Sequence, residues 1–169
     1  AARIAQVPHR GLGGFRGLIA NALWIRAMEL QDQDKYFEKV QLADWITKLQ
    51  PHNKTVWTVQ AWDMSYNISV KFSEPADRWL WVSRGIHLLR DEGLKYNPNN
   101  VDIYRELAWH FQHKMGHNLD DAHLFYKSVW ATQMQEILGS GRPNFDELMN
   151  PGTDEAKSRA TILRDFYKL

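Results

Sequence analysis

Four histidines form the densest group of chemically versatile side chains in this chain. His110, His113 and His117 fall in the run Trp109-His110-Phe111-Gln112-His113-Lys114-Met115-Gly116-His117, and His123 follows close behind Asp120 and Asp121. At about 100° of helix per residue, the first three stay within roughly 60° of one another. Imidazoles one turn apart can share Zn²⁺ or another borderline metal ion. The same residues also read as a cationic helix C-terminus, where positive charge is favoured. The chain has no His-Glu-x-x-His, and Gly116 is placed to end the helix before His117. A metal-binding protein or metal-dependent enzyme built on His110, His113, His117 and His123 therefore ranks as an alternative, and no cofactor is assigned.

Other candidate chemistry is weaker. Asp32, Asp34 and Glu38 are acids that could suggest Ca²⁺, but the 12-residue loop with its Gly and closing Glu is missing. They read instead as acids at the start of a helix. Gly11-x-Gly13-Gly14-x-x-Gly17 has no strand before it and no Gly-Lys-Ser/Thr after it, so it does not read as a phosphate loop. No Gly-x-Ser-x-Gly elbow and no paired-carboxylate motif is found. The absence of cysteine rules out thiolate nucleophiles, zinc–thiolate sites and disulfides. The 21 basic and 20 acidic side chains leave a net charge of +1, so no global field attracts a polyanion. Nucleic acid is accordingly not an expected partner.

The elements that would position these residues are helical. Leu23, Ala27 and Leu30 fall at i, i+4, i+7, and Leu42, Trp45, Ile46 and Leu49 repeat the pattern after a break at residues 32–34. Pro51 stops the second helix and Asn53 can cap the third. That helix carries Trp57, Ala61, Met64 and Ile68 on one stripe and Val59, Trp62, Tyr66 and Val70 on another, which places it between neighbours. A fourth opens at Ser73-Glu74-Pro75 and runs to about Tyr96. A fifth holds Tyr104, Leu107, Ala108 and Phe111; a sixth holds Ala122, Phe125, Tyr126 and Val129; a last one opens at Thr153. No segment alternates as a strand, so the chain reads as all-α. Residues 1–17, with Arg3, His9, Arg10 and Arg16, read as a flexible basic, glycine-rich arm; the chain's best apolar stretch, residues 11–24, is too short to span a membrane.

An internal repeat underlies the pattern. Leu23, Ala27 and Leu30 are matched 34 residues later by Trp57, Ala61 and Met64, and these 47 residues later by Tyr104, Ala108 and Phe111. The small Ala marks a close helix crossing. Trp57-x2-Gln60-Ala61-x2-Met64, Tyr104-x2-Leu107-Ala108-x2-Phe111, Ala122-x3-Tyr126 and Asn97-Pro98-Asn99 resemble a degenerate tetratricopeptide repeat. The run with Gly14-Phe15-Arg16, residues 40–47 and Gln60-Ala61-Trp62 is also similar to uncharacterised bacterial helical-repeat proteins. The resemblance implies an α-α superhelix of three helix hairpins over residues 18–137. Residues 138–169 would then be a loop and a C-terminal helix packing on or capping the array. It also implies a membrane segment ahead of Ala1 as one expectation, and with it a structural subunit of a membrane-associated complex as a further alternative.

In such arrays the first helix of each hairpin lines a concave face. The repeat alignment places Asn21, Trp24, Met28 and Gln31 there from the first pair, Thr58, Trp62 and Tyr66 from the second, and Arg105, Trp109, Gln112 and His113 from the third. Met28, Trp62 and Trp109 occupy one equivalent position. Aromatic anchors among amides and Arg suit a peptide or helix groove; Trp packed simply between helices is the competing reading. The leading expectation is a non-enzymatic scaffold or adaptor that binds another protein through this face.

Overall fold

The computed structural model describes residues 13–167. They form α1 (Gly13–Asp32), α2 (Tyr36–Leu49), α3 (Lys54–Trp62), α4 (Pro75–His87), α5 (Val101–His110), α6 (His123–Leu138), α7 (Phe145–Met149) and α8 (Asp154–Tyr167). Among the described residues there is no strand, and no helix is long and apolar enough to cross a membrane. The all-α class follows. The boundary signals are visible in atoms. Asn53 Oδ1 accepts from the Thr55 amide, Asn100 Oδ1 accepts from the amides of Asp102 and Ile103, and Pro75 opens α4.

Two boundaries differ from the sequence reading. Arg3, His9 and Arg10 of the expected arm lie outside the described residues. Gly13–Gly17 are not loop but the first turn of α1. The apolar run from Leu18 onward propagates the helix backwards, although each glycine costs about 0.8–1 kcal/mol relative to Ala. The short α7 was also not anticipated; Asn144 caps it through the Glu147 amide.

Three helices leave α register before they end. α3 continues through a π turn over Asp63–Ile68, α4 through one over Leu88–Gly93, and α5 through one over Phe111–Gly116. In a π turn the hydrogen bond spans five residues, so side chains fan out differently from the α spacing. A projection at 100° per residue cannot anticipate this.

Helices pack on those near them in the chain: α1 on α2, α2 on α3, α3 on α4 and α5, α4 and α5 on α6, and α6 on α8. The main core lies among α3 to α6, with Trp57, Ala61, Val82, Ile86, Leu89, Ile103, Leu107 and Tyr126. In the third hairpin the buried stripe is Ile103, Leu107 and His110, while Tyr104 and Ala108 are exposed and Phe111 is half-buried. The repeat therefore sits one residue earlier there than Tyr104, Ala108 and Phe111 imply. The aliphatic Ile103 and Leu107 fit the apolar interior, and amphipathic Tyr104 is left outside.

Charged side chains are also built into the interior. Lys39 Nζ lies 2.6 Å from Asp63 Oδ1 and donates to Gln31 Oε1, while Asn67 Nδ2 donates to the same carboxylate. This network ties α1, α2 and α3 together. Gln31 remains exposed while its Oε1 accepts from Lys39. Asp34, at left-handed φ 57°, accepts from Tyr36 Oη and from Lys71 Nζ. Those bonds hold its carboxyl below the usual range. Its role is to close the α1–α2 turn against the end of α3.

Gly85 marks the closest approach of α4 to α3. A Cβ there would fall 2.8 Å from the Ala61 carbonyl oxygen and against Ser65 Oγ. In an open helix Gly→Ala stabilises by about 1 kcal/mol. Here Gly85→Ala is expected to destabilise by about 1–3 kcal/mol through overpacking. A urea midpoint that stays level or rises would mean the two helices can separate freely.

Candidate functional site

The residues picked out by the aromatic pattern are gathered at one place, where α3 and α5 lie side by side. The Trp62 and Tyr66 rings stack, 5.6 Å apart at 23°. Tyr66 meets His113 at 5.3 Å, and His113 stacks on Trp109 at 5.1 Å and 21°. The result is a continuous row, Trp62–Tyr66–His113–Trp109. Its two ends are wet: Trp62 is 45% and Trp109 48% exposed. Tyr66 and His113 are half-buried between them. Both lie in π turns, each four residues after the Trp on its own helix.

The row rests on a polar underlayer. Lys114 Nζ sits 4.3 Å from the centre of the Tyr66 ring, a cation–π contact, and is paired with buried Asp120 at 2.8 Å. Among the described residues His113 Nδ1 is buried with no hydrogen-bond partner, and Tyr66 Oη is buried with only the Trp109 side chain bearing on it. Burial, reinforced by the Glu106 carboxylate, pushes the Tyr66 phenol well above its ordinary value, and the Trp109 side chain works against that rise. Tyr66 is therefore neutral throughout the physiological range.

Beside Trp62 lies a depression of about 200 Å³ lined by Thr58, Val59, Trp62 and Glu106. It adjoins a polar cleft of about 300 Å³ that shares Thr58 and Glu106 and adds Lys54, Thr55, Asp102 and Arg105. In that cleft Asp102 is held by Lys54 and by Arg105 Nη2, the latter at 3.4 Å. Lys54 depresses the Asp102 carboxyl against the opposing effect of burial, with a smaller pull from Arg105.

The other expected face residues are more dispersed. Trp24 is half-buried and lines a small cavity with Ala27, Val59 and Gln60, so it joins the face only through Val59. Asn21, Met28, Arg105 and Gln112 are exposed. Val59, Glu106, Lys54 and Asp102 were missed as site residues. Glu106 lies three residues before Trp109, one turn back on the same helix, a spacing that could have placed it on this face.

The histidines do not converge. His110 is fully buried, its Nδ1 2.8 Å from the Glu106 carbonyl and its Nε2 3.4 Å from the Ala61 carbonyl. Burial lowers its pKa, and the Glu106 backbone carbonyl, the Glu106 carboxylate and the Ala61 carbonyl only partly offset this, which favours the neutral imidazole. His113 is in the aromatic row, His117 is exposed beyond the end of the π turn, and His123 Nδ1 faces Lys127 Nζ at 3.2 Å. Among the described residues no group of three or more metal-binding side chains forms. The metal reading assumed α spacing from His110 to His117, and the π turn breaks that spacing.

The fold and site together define an all-helical protein with a half-exposed aromatic row on adjacent helices. Comparison with protein-family models, with curated proteins and with solved structures returns no match to the chain. Function is therefore argued from the site itself.

Proposed function

We propose that this chain is a non-enzymatic, tetratricopeptide-like adaptor that docks a segment of another protein on the Trp62–Tyr66–His113–Trp109 row. The observation that carries the reading is the row's half-exposure. Indoles fixed by stacking on one side and open to water on the other have little rotamer freedom left to lose on binding. Such rings are the typical anchors of protein interfaces. The packing order of α1 to α6, each on helices near it in the chain, suits a short stack of hairpins.

The test is partner capture from the native lysate with wild type and a Trp62→Ala/Trp109→Ala variant. One stoichiometric partner, retained by the wild type and released by the variant, is the expected result. A hot-spot loss of at least about 2 kcal/mol corresponds to roughly a 30-fold weaker complex. Helical circular dichroism should be unchanged. A partner held equally by both proteins would overturn the docking site, and global unfolding of the variant would return these residues to the core.

A further inference from the structure

Resting on that docking reading, we infer that the depression between Trp62 and Glu106 takes an arginine side chain of the partner segment. The guanidinium would lie on the open face of the Trp62 indole and fork onto the Glu106 carboxylate. Its methylenes would run over Val59 and Thr58.

The orientation follows from the helix. Trp62 uses one ring face to stack on Tyr66, which lies four residues further along. Helical side chains tilt toward the N-terminus, so the opposite ring face looks back over the turn that carries Thr58 and Val59. Those two residues line the depression together with Trp62 and Glu106.

The charge follows from the ion pairs. The neighbouring cations Lys54 and Arg105 both pair with Asp102, Arg105 at 3.4 Å. Among the described residues Glu106 has only His110 at hand, 3.5 Å from its Oε1, and burial disfavours a charge on that imidazole. Among the described residues Glu106 is thus a carboxylate only 23% exposed with no cation of its own. An apolar occupant would strip its remaining water and leave it unpaired, which is costly. An occupant that brings a positive charge removes that cost. Arginine fits better than lysine because its planar, weakly hydrated fork both stacks on an aromatic face and pairs two-to-two with a carboxylate.

The test uses the full chain and two small probes, N-acetyl-arginine methylamide and its neutral isostere N-acetyl-citrulline methylamide, at matched chloride. Indole N–H signals are followed by ¹H–¹⁵N NMR, with Trp62 assigned through Trp62→Phe. The expected result is a saturable shift of the Trp62 signal by the arginine probe, with Kd on the order of 1 mM. Binding should weaken at least about 10-fold with citrulline, and by as much in Glu106→Gln with an unchanged melting curve. Equal binding of both probes, an unaffected Glu106→Gln, or no saturable shift at Trp62 would each overturn the inference. Partner capture separates this failure from that of the docking site. A partner kept by Glu106→Gln but lost by Trp62→Ala/Trp109→Ala leaves the docking site standing without its arginine. A partner kept by both removes the site as well.

Discussion

Asp120→Asn is expected to cost about 3–5 kcal/mol of folding stability, because it strips the counter-charge from two enclosed cations. Asp120 Oδ1 accepts from Arg78 Nη2 at 2.9 Å and from the Ala122 amide at 3.0 Å, and Oδ2 accepts from Lys114 Nζ at 2.8 Å. Burial alone would raise the Asp120 carboxyl. The Lys114 ammonium, the Ala122 amide and the Arg78 guanidinium outweigh it and hold the group below its ordinary 3.8. A carboxyl depressed in the folded state contributes stability that is complete above its unfolded value and disappears as pH falls through the folded one. Urea titrations from pH 7 downward should therefore show this acid limb in the wild type and its loss in Asp120→Asn.

The two sides of the ion cluster are not equivalent. Burial pushes Lys114 below its usual value despite the pull of Asp120. Its ammonium is thus held in the interior at a net cost. Lys114→Met keeps most of the volume, leaves Asp120 paired with Arg78, and puts a polarizable sulfur under the Tyr66 ring. It is expected to fall within about 1 kcal/mol of wild type or above it. Equal losses for Asp120→Asn and Lys114→Met would contradict this asymmetry.

The ion cluster also shows where reading the sequence ran out. Helix positions were legible because apolar spacing and punctuation are local: Asn53 caps, Pro75 opens, and the helix ends at Gly116. The face was legible in part, since Trp62, Tyr66, Trp109 and His113 come from the pattern that put them together. Buried charge was not legible. Lys39 and Asp63, or Arg78 and Asp120, carry no local mark that separates them from solvated residues, because their partners are 24 and 42 residues away. The π turns left no mark either. The one over Phe111–Gly116 breaks the α spacing that a shared His110–His117 site would need. The third hairpin slipped by one residue because Tyr104 and Ile103 are both plausible core residues by composition, and only the folded core, which buries Ile103 in one cluster with Trp57 and Tyr126, selects between them.

Trp57→Ala is expected to cost about 3–5 kcal/mol, against about 1 kcal/mol for Trp62→Ala on the same helix. Trp57 is 3% exposed. Its ring stacks on Tyr96 at 5.8 Å and 13° and packs against Gly93, and its indole N–H donates to the Pro51 carbonyl at 2.8 Å. Truncation does not orphan that carbonyl, because Asn97 Nδ2 also donates to it at 2.8 Å. The loss is therefore a cavity in the core plus the transfer energy of a large ring, with no unpaired acceptor to add. Trp62 already meets water over nearly half its surface, so its removal opens no closed cavity. Denaturant unfolding of the two single variants measures the difference directly. A Trp62→Ala loss as large as that of Trp57→Ala would make the row a second core, and the proposed docking site would lose its exposed anchor.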